Sequence, residues 1–173
     1  MSGATGKVAR GERGGRKLDV HDRALSLLAV RARSRSELER RLTSAGFERD
    51  EISETLDRLT AVGLVDDEAF ARSFAEHAVA RRGEGKRAVE SALFAKGVSR
   101  ETIDLVVAEV TEERGGESER ALALARSRVT RLRGGDPAAA YRKLFSFLAR
   151  RGYPPSVSRE AARQALEIDE TVA

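Results

Sequence analysis

The chain has no cysteine and no tryptophan, and only one methionine, two histidines and three prolines in 173 residues. The absence of cysteine excludes disulfides, thiolate metal sites and thiol nucleophiles together. His21 and His77 are far apart, and neither has a partner at the spacing of a metal ligand pair or a catalytic triad. Aromatic residues are scarce as well, with six Phe and two Tyr. With 40% hydrophobic and 35% charged residues, this composition cannot fill one thick core. It suits small modules that each bury one face against their neighbours. No segment approaches the roughly 20 apolar residues of a membrane span, and the amino terminus lacks the apolar run of a signal peptide. The expectation is a cytoplasmic protein without membrane contact, cofactor or metal.

What the sequence does contain is a repeated punctuation. Leu38/Leu42/Gly46/Phe47, Val89/Leu93/Gly97/Val98 and Leu144/Leu148/Gly152/Tyr153 share one pattern. In each, two apolar residues four apart are followed four residues later by glycine, and then at once by an apolar residue. Residues i and i+4 share a helix face, glycine adopts the left-handed backbone that ends a helix, and the next apolar residue folds back on the last turn. The glycines lie 51 and 55 residues apart, a period typical of helical arrays.

Residues 1–18 are basic, glycine-rich and almost free of large apolar groups, which predicts a flexible tail. A first three-helix unit is expected over 19–65. Leu25, Leu28 and Ala29 stripe its first helix, Ser36-Glu37-Leu38-Glu39 opens the second with a capping-box spacing, and Ile52, Leu56 and Leu59 face the core from the third. The second unit, 66–114, repeats the plan with Phe70, Phe74 and Ala78, then Val89 and Leu93, then Ile103, Val107 and Val110; Ser99 is placed to cap its third helix. The third, 115–173, has Leu122, Ala125, Val129 and Leu132, then Leu144 and Leu148, then Val157, Ala161 and Leu166, with Gly134-Gly135 between its first two helices. No segment alternates as a half-buried strand would. The fold expected is all-α: an elongated, curved array of three tandem three-helix repeats.

The net charge of +4 is unevenly spread: segments 1–19, 20–65, 66–114 and 115–173 carry +3, 0, −3 and +4. Such asymmetry steers a polyanion to one surface and a basic protein to another. The densest cationic run is Arg126, Arg128, Arg131, Arg133, Arg142, Lys143, Arg150 and Arg151, with Asp136 the one acid among them. At three- to five-residue spacings, part of this run shares a helix face that could displace counterions from a nucleic acid backbone. The alternative is a solvated face.

Two other clusters resolve into structural readings. Asp66-Asp67-Glu68 directly precedes Ala69-Phe70-Ala71, where acids cap a helix start more readily than they hold a divalent ion. Arg82-Gly83-Glu84-Gly85-Lys86-Arg87 has Ala80 where a phosphate loop needs its first glycine, and Arg87 where it needs Ser or Thr. A turn between helices is expected, with a basic anion contact as the alternative. Phe145 and Phe147 are expected to pack between helices rather than stack on bases. No nucleophile elbow surrounds any serine, so catalysis is not expected.

Gly63-Leu64-Val65-Asp66-Asp67-Glu68-Ala69-Phe70-Ala71, followed by Arg81-Arg82, Gly85, Val89, Leu93 and Lys96-Gly97-Val98, closely resembles the signature of the RecX family, whose members regulate the RecA recombinase. The chain departs from that pattern at Lys86, where the family often has proline, at Ala88 in place of a basic residue, and at Ala92 in place of an acid. The resemblance implies a non-enzymatic inhibitor, active in homologous recombination, DNA repair and the SOS response. Such a protein binds RecA, chiefly as a filament on single-stranded DNA, and suppresses its ATPase, strand-exchange and coprotease activities. It implies single-stranded DNA as a second partner, double-stranded DNA as a third, and a monomeric regulator. The charge pattern and the resemblance together place the contacts at Arg81, Arg82, Lys86, Arg87, Lys96, Arg128, Arg131, Arg142, Lys143, Arg150 and Arg151. Asp66, Asp67, Phe70, Gly85, Leu93 and Gly97 are assigned to the framework. The competing readings are a RecA-independent helical DNA-binding regulator and an enzyme built on the acidic cluster.

Overall fold

The structure, a computed structural model, describes residues 19–132 and 136–166. The expected tail at 1–18, Arg133 and Gly134-Gly135 lie outside the described residues. Among those described there are nine helices and no strand. The first unit holds α1 (Val20–Val30), α2 (Arg35–Ser44) and α3 (Arg49–Ala61). The second holds α4 (Asp67–Arg82), α5 (Lys86–Ala95) and α6 (Arg100–Glu113), and the third α7 (Glu117–Val129), α8 (Pro137–Arg150) and α9 (Pro155–Leu166). Helices pack chiefly within their own unit. Each unit therefore has a separate core: Leu38, Leu42, Ile52, Leu56 and Leu59 in the first, Val89, Leu93, Ile103, Val106 and Val107 in the second, and Leu144, Leu148, Tyr153 and Ala162 in the third.

Local chemistry sets the helix starts. Asp19 accepts from the Asp22 amide at 2.7 Å, Ser99 from Thr102 at 3.1 Å, and Asp136 from Ala138 and Ala139 at 3.1 and 3.0 Å. Two sequence expectations need correction. The second helix is capped by Ser34, which accepts from Glu37 at 3.1 Å, so it begins before Ser36. On α1 the buried residues are Ala24 and Leu27; Leu25 and Leu28 flank them and Ala29 is exposed. The core face is rotated because α1 packs on both α2 and α3, so the most apolar stripe is split between two neighbours.

The three glycine endings are one motif repeated. Gly46, Gly97 and Gly152 have φ of 89°, 77° and 87°. The amide after each reaches back to the carbonyl at the start of the last turn: Phe47 to Leu42 at 3.3 Å, Val98 to Leu93 at 3.2 Å and Tyr153 to Leu148 at 3.2 Å. This six-to-one bond satisfies a carbonyl that the helix end leaves free.

The same turns are also the joints between units. At the first joint the start of α2 sits on the end of α5. The Ser34 hydroxyl donates to the Lys96 carbonyl at 2.5 Å, and the Arg35 amide donates to Asp67 Oδ1 at 2.7 Å. A methyl at Gly97 would overlap the Ser36 side chain. At the second joint the start of α5 sits on the end of α8. The Gly85 amide donates to the Arg151 carbonyl at 2.8 Å, Arg87 to Gly152 at 3.3 Å, and Lys86 to Glu117 Oε1 at 2.9 Å. A Cβ on Gly85 would stand 2.7 Å from the Gly152 carbonyl carbon. Tyr153 is buried beside this joint, its hydroxyl 3.4 Å from the Gly83 carbonyl, and burial raises its phenol above the ordinary value.

In both joints the acid at the first position of one helix, Asp67 of α4 or Glu117 of α7, caps the first amide of another, Arg35 of α2 or Lys86 of α5. The middle helices α8, α5 and α2 consequently meet end to end, each carbonyl end facing the next amide end, the favourable sense for helix dipoles. The turn at 82–87 is thus a structural joint rather than a free loop. Asp66 caps its own helix through Ala69 at 2.9 Å, while Asp67 caps a helix of the preceding unit.

A charged cluster stiffens the loop that carries Ser34 to its joint. Glu37 Oε1 accepts from Arg31 Nη2 at 2.5 Å, from Arg33, and from Arg41 Nε at 3.2 Å, and Arg33 Nε donates to the Leu27 carbonyl at 3.1 Å. Burial raises the Glu37 pKa, but the bonds from Arg31, Arg33 and Arg41 outweigh it and leave the carboxyl below its usual value. A carboxylate with a lowered folded pKa adds stability above its unfolded value of about 4.3, and that stability is lost as pH falls through the folded value. Glu37→Gln should therefore cost about 3 kcal/mol at neutral pH, since it leaves Arg33 buried with a weakened partner. In urea titrations at several pH values, the gap between variant and parent should close below about pH 4. A gap independent of pH would refute the assignment.

Candidate functional site

The last turn of α4 carries Arg81 and Arg82, and the last turns of α7 carry Arg128 with Arg131 just beyond. On α8, Ala139, Arg142, Lys143, Ser146, Phe147 and Arg150 recur at three- and four-residue steps, so they form one stripe that borders the buried face at Phe147. Because α5 is seated on the end of α8, the α4 and α8 cations converge. Arg81, Arg82, Arg150 and Arg151 line one hollow together with Glu84, Ala88 and Ala92. Arg128, Arg131, Arg142, Lys143 and Arg150 line a second, between α7 and α8. Arg150 belongs to both.

Eight of the eleven cations expected at the contact surface thus lie along this pair of hollows. The other three stand apart. Lys86 Nζ is 3.8 Å from Glu90 and Arg87 is exposed, both at the second joint, while Lys96 lies at the first joint with its ammonium 5.3 Å from the Phe74 ring centre.

Neutralisation is slight. Arg82 pairs with Glu84 at 3.1 Å, and Arg142 approaches Asp136 at 3.9 Å. Among the described residues Arg81, Arg128, Arg131, Lys143, Arg150 and Arg151 make no ion pair. Aromatic rings orient several of these cations instead: Arg128 lies 3.9 Å and Arg151 5.3 Å from the centre of Phe147, and Arg82 lies 5.2 Å from that of Phe74. From sequence, Phe147 is assigned to packing alone. The ring does pack in the third core, and the guanidiniums of two arginines also lie over it. The four-residue step from Phe147 to Arg151 is the sequence signal for one of them; Arg128 comes from another helix. The arrangement can bind a polyanion through many weakly neutralised charges.

Comparison with known proteins bears on what this surface serves. Models of the first, second and third three-helix domains of RecX match residues 21–59, 66–107 and 116–162. The chain belongs to the RecX family. Relatives named regulatory protein RecX include one from Corynebacterium efficiens, 37% identical over 88% of this chain and 74% of its own length. Another, from Mycobacterium avium, is 41% identical over 84% and 83%, and one from Mycolicibacterium vanbaalenii is 43% identical over 75% and 72%. The crystal structure of RecX from Lactobacillus salivarius superposes with a TM-score of 0.75 at 21% identity, covering 87% of this chain and 96% of that one. A second RecX crystal structure gives 0.72 at 22% identity, covering 87% and 72%. The family resemblance carried by residues 63–98 is borne out, and so is the array of three tandem three-helix units. RecX is a family of regulatory proteins, and the two hollows fall in its second and third domains. Among the described residues, no helix is long and apolar enough to cross a membrane.

Proposed function

We propose that this RecX-family chain is a negative regulator of RecA that binds RecA and RecA–single-stranded DNA filaments. It inhibits ATP hydrolysis, strand exchange and coprotease activity by occupying the filament or blocking its extension, and it acts in the cytoplasm, where that partner works. The observation that carries this reading is the run of largely unpaired cations crossing the joint between the second and third units. A surface of that kind follows a phosphate backbone without reading sequence. The acidic excess of residues 66–114 is the charge that complements a basic protein patch. No catalytic step is needed.

The regulator is read as acting as a monomer.

The test is RecA ATP hydrolysis on single-stranded DNA with increasing amounts of this protein. Inhibition is expected, and inhibition well below one molecule per recombinase subunit would favour blocked extension over coating. Hydrolysis unchanged by excess folded protein would overturn the proposal.

A further inference from the structure

The two hollows differ in a way that phosphate binding alone does not explain. The one bounded by Arg81, Arg82 and Arg151 has only Ala88 and Ala92 as apolar lining, and it includes the carboxylate of Glu84. The one between α7 and α8 has no carboxylate and is floored by the half-buried Leu132 and Phe147, beneath a rim of five cations. It is an open depression of about 550 Å³. Phosphate contacts need only the rim. An apolar floor left in water inside a ring of charges is unfavourable unless something flat and apolar covers it.

We infer that this hollow receives one unstacked nucleobase of a single strand, while the cations around it hold the flanking phosphates. This rests on the proposed contact with DNA and narrows it to single strands at this position. The fit is one of shape and charge. The base lies against Leu132 and on the Arg128 guanidinium, which is itself stacked 3.9 Å over the Phe147 centre, a guanidinium platform backed by an aromatic ring of the kind on which bases stack. Arg142 and Arg150 are two turns apart on α8, roughly 12 Å along the axis, a span that a few nucleotides of extended strand can bridge. A duplex keeps its bases paired and can offer only phosphates to the rim. Arg150 joins the hollow to the neighbouring cationic track, so the strand continues past Arg81 and Arg82 with no base inserted.

The experiment uses the full chain and fluorescence anisotropy at fixed salt with three probes of equal length: oligothymidylate, the same backbone with abasic sites throughout, and a duplex. Oligothymidylate should bind about tenfold tighter than the abasic strand, the effect of one stacked base, with the same salt dependence for both. Phe147→Ala and Leu132→Ser should each bring the two strands within about twofold of one another. Arg81→Ala should weaken both equally. Equal binding of the two strands by the unaltered protein would overturn the inference and leave the DNA contact standing. Failure of all three probes to bind, even at low salt, would overturn the DNA contact itself. Displacement of oligothymidylate by polyglutamate at equal concentration would assign the hollow to an acidic protein segment and also overturn the inference.

Discussion

Gly152→Ala should destabilise the protein by about 3 kcal/mol or more, whereas Gly46→Ala should cost only about 1 kcal/mol. Both glycines end a middle helix in the same left-handed conformation, at φ of 87° and 89°, so the backbone cost is shared. Their surroundings differ. A methyl at Gly152 would overlap the Ala88 backbone and side chain, while one at Gly46 would enter open space. The excess is therefore the cost of prising α5 from α8 and of losing the bonds from Gly85 and Arg87 to that turn. Because the units have separate cores, the loss should be seen in calorimetry as a third unit that melts apart from the rest. Equal destabilisation by the two substitutions, with one melting transition in each case, would show that the joint contributes nothing beyond backbone strain.

The second large effect is on binding. Replacing Arg142, Lys143, Arg150 and Arg151 together by alanine should lower affinity for single-stranded DNA by at least about tenfold at low salt. It should also reduce the slope of log affinity against log salt by about 3, at about 0.7 for each phosphate that is no longer neutralised. Arg142, Lys143 and Arg150 are exposed, and the backbone carbonyl of Arg151 that holds Gly85 remains, so the melting temperature should change little. Inhibition of RecA should weaken in parallel. If affinity, salt slope and inhibition all stay at parental values, this patch has no part in the function.

Much of the molecule can be read along the chain because the forces concerned act within a turn or two. Ser99 and Asp66 bond amides three residues on, and the glycine endings bond carbonyls five residues back from the residue that follows them. Spacing alone exposes such interactions. It puts the α2 start at Ser36 as readily as at Ser34, because each precedes a glutamate by three residues. What separates the two serines is a neighbour far away in sequence: Ser34 turns to Lys96 and Ser36 faces Gly97. The cationic residues are visible as a run, yet helical spacing within α8 cannot show that Arg81 and Arg82 stand beside Arg150.

Residue order thus dictated the nine helices of the described residues in three units, their stops, and a surplus of arginine towards the carboxyl end, since propensity, capping and amphipathic period are properties of neighbouring residues. Folding in three dimensions settled the rest. Asp67 and Glu117 cap helices 32 and 31 residues away, Tyr153 reaches Gly83 across 70 positions, and the hollow that Arg81 and Arg82 share with Arg150 and Arg151 exists only once α5 rests on α8. At the second joint, backbone amides of Gly85 and Arg87 also meet backbone carbonyls of Arg151 and Gly152 over side-chain-free glycines. Every residue has the same amide and carbonyl, so no pattern of side chains marks which pair will meet.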